Sequence, residues 1–169
     1  MKRFILIPVI LAITILGYGQ RSVDALFNRY AGSDGFTTIT ISGNLIKLIR
    51  DLDEDKCDDD RSWPEDITTV RILAQNDDSM FEGNFYNMVE NELDRRNYEE
   101  FMRVKNAHKD IVMLVRADGK RFKEFLIVAS GEDNNALIQV KGNMTYKEAK
   151  KFSESMKKDN GVNIVIGCN

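Results

Sequence analysis

The hydrophobic pattern along the chain changes repeatedly between a helical and a strand period, and these changes predict about four helices and several strands. Helical spacing predicts helices that begin after Ser22, Ser42, Ser79 and Thr145, the third reaching about Arg96. Alternation and β-branched residues predict strands over residues 36–41, 70–75, 98–105, 110–117, 122–130, 136–141 and, near the C-terminus, 162–166.

Two of these strands flank Asp118-Gly119, which is a strong signal for a β-hairpin. A two-residue turn at that position pairs Val115 with Phe122, and a short loop further on pairs Ile127 with Ile138. In this register both faces of the central strands are apolar. Such strands predict helices on both faces of the sheet. The alternative is that one face docks a partner or a second copy of the chain.

The chain has no repeat, no linker and no break in composition, so it predicts one domain. Hydrophobic residues make up 43% and charged residues 30%, which are globular proportions. The order of elements predicts an α+β fold. We expect a mixed, mostly antiparallel sheet with a C-terminal meander, packed by about four helices, over residues 20–169.

Residues 1–19 have the pattern of a secretory signal peptide. Lys2 and Arg3 precede an uncharged run over 4–16, and Gly17 and Gly19 supply a small-x-small cleavage site. We expect cleavage after Gly19, with Gln20 as the new N-terminus. A retained anchor is disfavoured because a membrane span needs about 20 apolar residues. The prediction is an exported protein, periplasmic or extracellular, soluble and without a stable membrane anchor.

The charge balance argues against nucleic acid as a partner. Removal of Lys2 and Arg3 takes the formal charge from −3 to −5. An acidic domain lacks the excess of cations that phosphate contacts require. The same charge repels anionic lipid surfaces.

The sequence carries no recognisable catalytic motif. Its one histidine, His108, lies in a polar turn, and the chain has no nucleophile elbow, zinc-binding helix or phosphate-binding loop. We therefore assign no catalytic residue and no cofactor, and we expect a protein that is not an enzyme. A pair of carboxylates that meet only in the fold remains the open alternative.

The acidic run over residues 51–60 resembles a calcium loop only in part. Aspartates occupy the first, third and fifth positions, but Lys56 stands where glycine is required and Ser62 where a bidentate glutamate is required. The sequence therefore predicts no tight metal site and favours a solvated acidic loop. A weak calcium site at residues 58–60 is the alternative.

Cys57 and Cys168 are the two cysteines, and export would place both in an oxidising compartment. They are the candidate disulfide. Two unpaired thiols are the alternative, because a loop and a C-terminal tail do not have to meet within about 7 Å.

An ordered set of short segments resembles a known family, the one called "domain of unknown function 4252". The segments are ALFNRY at 25–30, GFT at 35–37, TISG at 40–43, VRIL at 70–73, YEEFM at 98–102, LIVASG at 126–131 and KGNM at 141–144. The resemblance implies a small exported protein of a Gram-negative bacterium, in a family that includes lipoproteins and has no established activity or catalytic residues. Some relatives occur near genes for sigma and anti-sigma factors, which implies a role in envelope signalling.

Together these observations favour a non-catalytic exported module that binds another envelope protein or itself, or that assists signalling. A module that binds a small ligand or weakly binds calcium is the second hypothesis, and an enzyme is the third.

Overall fold

Six strands form one antiparallel sheet in the computed structural model, which describes residues 22–52, 64–76, 78–93, 95–105, 107, 109–131 and 135–158. The strands are β1 (Phe36–Ser42), β2 (Ile67–Gln75), β3 (Glu99–Lys105), β4 (Lys109–Asp118), β5 (Arg121–Gly131) and β6 (Asn135–Met144). Their order across the sheet is β1-β2-β6-β5-β4-β3, so β3 to β6 run as a meander. The α+β prediction is confirmed. The strand predicted over 162–166 lies outside the described residues.

Four α-helices in the described part of the chain cover the two faces of this sheet. They are α1 (Val23–Tyr30), α2 (Gly43–Leu52), α3 (Phe85–Glu92) and α4 (Tyr146–Lys158), and a 3-10 helix spans Arg95–Asn97. On one face, α1 and α3 bury side chains such as Phe27 and Val89 against Val112. On the other, α4 buries Phe152 against Ile127, and Ile46 of α2 packs on the same cluster. Of the two alternatives that the sequence left open, the structure confirms helices on both faces of the central strands.

The predicted hairpin between β4 and β5 is present, but its predicted register is wrong. The turn is at Gly119-Lys120, where Gly119 has φ +60° and Asp118 pairs with Arg121. Glycine at the first turn position is what a type II′ hairpin turn requires. Further along, a β-bulge shifts the pairing again, and Val115 pairs with Phe125 instead of Phe122.

This shift moves side chains to the opposite face from the one predicted, because alternate residues of a strand face opposite ways. Phe125 and Ile127 lie on the same side of the sheet as Met113, where the predicted register separates them from it. The next pairing is confirmed: Ile127 pairs with Ile138 across β5 and β6. The sequence therefore identifies these strands correctly but assigns β4 to the wrong face relative to β5.

Helix α3 is much shorter than the predicted helix from Ser79 to about Arg96. It begins after Asn84, whose side chain accepts a hydrogen bond from Asn87 N at 3.0 Å. The preceding segment is held by side chains of the sheet: Gln75 Nε2 donates to Phe81 O at 3.0 Å, and Asn135 Nδ2 donates to Gly83 O at 3.2 Å. These bonds satisfy carbonyls that a longer helix would have used.

The predicted start of the last helix is confirmed as a capping box. Thr145 N donates to the Glu148 carboxylate at 2.7 Å, and Glu148 N donates back to Thr145 Oγ1 at 3.3 Å. Burial alone would raise the pKa of Glu148, but the hydrogen bonds from Thr145 and from Glu65 N outweigh it and lower that pKa. The first helix has a simpler N-cap: Ser22 Oγ accepts from Ala25 N at 3.2 Å, with no reciprocal bond because Ala25 stands where a capping box has glutamate.

Candidate functional site

A polar cleft of about 260 Å³ lies where the N-terminus of α1 and the 3-10 helix meet the sheet. Its walls come from three strands of the sheet as well as from the two helices. The residues that line it are Ser22, Val23, Asp24, Leu93, Asn97, Tyr98, Arg116, Glu124, Gln139 and Lys141. Acidic and basic side chains thus face one another in a site assembled from distant parts of the chain.

A buried carboxylate forms the floor of the cleft. Glu124 of β5 is only 2% exposed. Its Oε2 accepts from Arg116 Nε at 3.1 Å and from Arg116 Nη2 at 2.9 Å, across the β4–β5 pair. Its Oε1 accepts from Gln139 Nε2 at 2.7 Å, from the strand on the other side. Three neighbouring strands are therefore joined by one charge-assisted network, which is the form in which buried charges are tolerated.

Tyr98 lies beside this carboxylate at the start of β3. Burial, and then the negative charge of Glu124, raise the pKa of Tyr98 far above its ordinary value. The phenol therefore remains protonated at neutral pH and can donate a hydrogen bond. Tyr98 is therefore an uncharged polar residue in the lining of the cleft, beside the ion pair of Arg116 and Glu124.

The second charged group of the cleft joins α1 to the sheet. Asp24, in the first turn of α1, accepts from Arg71 Nη1 at 2.8 Å and from Lys141 Nζ at 3.1 Å. Burial would raise the pKa of Asp24, but the Lys141 hydrogen bond and the charges of Lys141 and Arg71 outweigh it and lower that pKa. The Arg71 guanidinium also lies 4.2 Å from the ring centroid of Phe27. The charges of the cleft therefore pair with each other and fix α1 in place.

The two edges of the sheet differ in chemistry. Edge strand β3 carries Glu99, Glu100, Arg103 and Lys105, and it has a β-bulge after Glu100. Arg103 pairs with Glu100 at 2.8 Å and with Asp110 of β4 at 3.3 Å. Charges and bulges are the usual protection of an edge strand against pairing with another chain.

Edge strand β1 has none of that protection. Its sequence, FTTITIS, contains no charge and no proline, and β2 is its one strand neighbour among the described residues. Ile39 is 42% exposed at its centre, and Leu45 and Leu48 of α2 are 46% and 54% exposed. Ile39 shares the α2 side of the sheet with Ile41, which packs against the same core as Ile46. The free edge of β1 is the edge with which no described strand pairs. Together with Ile39, Leu45 and Leu48 we call it the β1 surface.

Within the described ranges of the chain, no group of three or more histidine, cysteine, aspartate and glutamate side chains is placed to hold a metal ion. No helix in the same ranges is long and apolar enough to cross a membrane.

One family model matches the chain, the Domain of unknown function (DUF4252), over residues 30–152. The match covers well over half of the chain. The protein is a member of the DUF4252 family. No curated protein and no solved structure matches it. The resemblance seen in the sequence is thereby confirmed.

The DUF4252 match spans the whole sheet, so it includes the β1 surface and the network of Arg116, Glu124 and Gln139. Asp24 precedes it. The candidate residues singled out in the sequence are elsewhere: Gly19, Gln20, Cys57, His108 and Cys168 all lie outside the described residues, as does the acidic run from Asp53 to Asp60. The cleavage site, the disulfide and the calcium alternative remain predictions.

The cleft was not predicted from the sequence. A usable signal was present, since Arg116 and Glu124 have opposite charges and lie on either side of the hairpin turn, where the apolar runs of the two strands meet polar sequence. The predicted register places Arg116 opposite Arg121, whereas the bulge places it opposite Glu124. A pairing that matched opposite charges would have found both the register and the ion pair.

Proposed function

We propose that this DUF4252 protein is an exported, non-catalytic interaction module that binds another envelope protein or a second copy of itself, directly or as an accessory to signalling. The observation that carries the proposal is the β1 surface. An uncharged edge strand of seven residues offers a row of backbone donors and acceptors to an incoming strand. The exposed side chains of Ile39, Leu45 and Leu48 offer apolar contacts beside it.

The charges of the cleft support the non-catalytic part of this proposal. The Glu124 carboxylate accepts hydrogen bonds from Arg116 and Gln139. The Asp24 carboxylate forms ion pairs with Arg71 and Lys141. A catalytic acid or base needs a pKa near the working pH and access to substrate. The carboxylates of the cleft instead hold strands and helix together.

Export is supported by the N-terminal pattern alone. If the protein is expressed with its leader in a Gram-negative host and recovered from the periplasm, its N-terminal sequence is expected to begin at Gln20. Replacing Gly17 and Gly19 with bulky residues should leave the precursor uncleaved. A periplasmic protein that begins at Met1 would contradict the predicted signal peptide.

The interaction is tested by photo-crosslinking in the native host. A photoreactive amino acid placed at Ile39 or Leu48 is expected to give a discrete crosslinked product, identified by mass spectrometry. The matched control is Tyr146, a large side chain that is 64% exposed on α4, away from β1. Equal products from all three positions, or none from any, would contradict the proposal.

A further inference from the structure

The free edge of β1 has a pattern that limits what can pair with it. A charged strand would place its charges opposite threonine and isoleucine, where they have no partner. This excludes the charged edge of another copy's β3 as a good match. An uncharged strand that alternates small polar with β-branched residues fits, and β1 itself has this composition.

The strand is also complementary to itself when two copies run antiparallel. Ile39 is the midpoint of the seven residues of β1, so a two-fold axis through Ile39 pairs all seven. The axis pairs Ile39 with Ile39 of the copy and Thr37 with Ile41, on the α2 side of the sheet. On the other side it pairs Thr38 with Thr40. It also pairs Phe36 with Ser42 on that side. Thr38 with Thr40 is a favourable pair across antiparallel strands, and no pair sets like charges opposite each other.

An unsatisfied atom lies on the same strand. Thr38 Oγ1 is buried and has no hydrogen-bond partner among the described residues. In the two-fold arrangement, the residue opposite Thr38 is Thr40 of the copy. A change of Thr38 to another staggered χ1 rotamer would allow the two hydroxyls to form a cross-strand hydrogen bond.

We propose that β1 pairs with β1 of a second copy, antiparallel about a two-fold axis through Ile39, and joins two six-stranded sheets into one. This inference rests on the proposed function, because it names the partner of the β1 surface. The arrangement is isologous and closes at the dimer, since it uses both β1 edges, and the other sheet edges formed by the described residues are the protected β3 strands.

The first test is the mass of the purified exported chain in solution, measured by light scattering over a range of concentrations. Wild type is expected to reach the mass of a dimer. Ile39→Lys sets two like charges against each other on the axis and should halve that mass without changing the circular dichroism spectrum. Val104→Lys, at a β3 position of similar exposure (39% against 42%), should remain dimeric.

The second test determines which residues of the two β1 strands face each other. In a background with Cys57 and Cys168 changed to serine, Ile39→Cys is expected to form a covalent dimer when oxidised glutathione is added, because residues on the axis face each other. Thr37→Cys alone should form no covalent dimer, because its thiol faces Ile41 of the copy, and Thr37→Cys combined with Ile41→Cys should crosslink. Val104→Cys is the control of matched exposure and should not crosslink.

A monomer at all concentrations, or crosslinking of Val104→Cys as strong as that of Ile39→Cys, would overturn the inference. The proposed function is judged separately by the photo-crosslinks from Ile39. If these capture a different protein while the chain is monomeric, self-pairing is wrong and the interaction module stands. If they capture nothing, both fail.

Discussion

Val112→Asp is expected to lower the free energy of unfolding by about 4 kcal/mol or more, because it places an unpaired carboxylate in a dry core. Val112 is fully buried in the centre of β4, on the face covered by α1 and α3. Ile127→Asp should have an effect of similar size on the opposite face, where Ile127 is also fully buried. Because small domains are stable by only about 5–15 kcal/mol, either variant can be largely unfolded at 25 °C.

Urea denaturation followed by far-UV circular dichroism measures both effects. The matched control is Val104→Asp, the same substitution at a half-exposed position of edge strand β3, and it should change the free energy of unfolding by only about 0.5 kcal/mol. If Val112→Asp cannot be recovered as folded protein, Val112→Thr keeps the shape and buries a hydroxyl at a cost of about 1–3 kcal/mol. A wild-type urea midpoint for Val112→Asp would mean that helices do not cover this face.

The positions of the strands could be predicted because the signal is local. Alternation and β-branched residues mark β4, β5 and β6 independently of their neighbours. The register could not be predicted in the same way. It depends on whether Asp118 is the last strand residue or the first turn residue, and on an extra residue near Lys123, where β5 bulges. The turn position moves the pairing by two residues and leaves every side chain on its predicted face. The bulge moves it by one more and puts the apolar side chains of β4 on the other face relative to β5.

The start of α3 shows a second limit, which comes from contacts over long sequence distances. The apolar pattern of residues 79–84 predicts that the helix begins near Ser79. In the structure the helix begins only after Asn84. The hydrogen bonds that hold this segment come from Gln75 and Asn135, and Asn135 is about 50 positions away in the chain. Helical periodicity describes neighbours within two turns, so it carries no information about such partners.

The two candidate sites differ in how much of each the sequence contains. The β1 surface is visible in the sequence as an uncharged strand, but only the strand order makes it an edge. The ion pair of Arg116 and Glu124 consists of two ordinary charged residues until the register places them together. The β1 surface therefore depends on the strand order, and the ion pair of Arg116 and Glu124 depends on the strand register.

Arg116→Met is expected to lower the free energy of unfolding by about 3 kcal/mol, because it leaves the Glu124 carboxylate buried without its cation. The reverse change should be milder. The Glu124 side chain is 3% exposed and the Arg116 side chain 41% exposed, so an unpaired guanidinium can reach water where an unpaired carboxylate cannot. Glu124→Gln keeps the shape and the contact with Gln139, and its expected cost is about 1 kcal/mol.

The double variant Arg116→Met, Glu124→Gln separates the interaction energy between the two side chains from the effect of each substitution alone. With no buried charge left to compensate, it should cost about 2 kcal/mol, less than Arg116→Met alone, which gives a coupling energy of about 2 kcal/mol. Urea denaturation at pH 7 of the four proteins in this cycle measures that energy. The control is Lys150→Met on the exposed surface of α4, whose partner Glu154 is also exposed, and its effect should be near zero. Additive effects of Arg116→Met and Glu124→Gln would mean that water reaches the carboxylate and that the network does not join β4, β5 and β6 as the structure indicates.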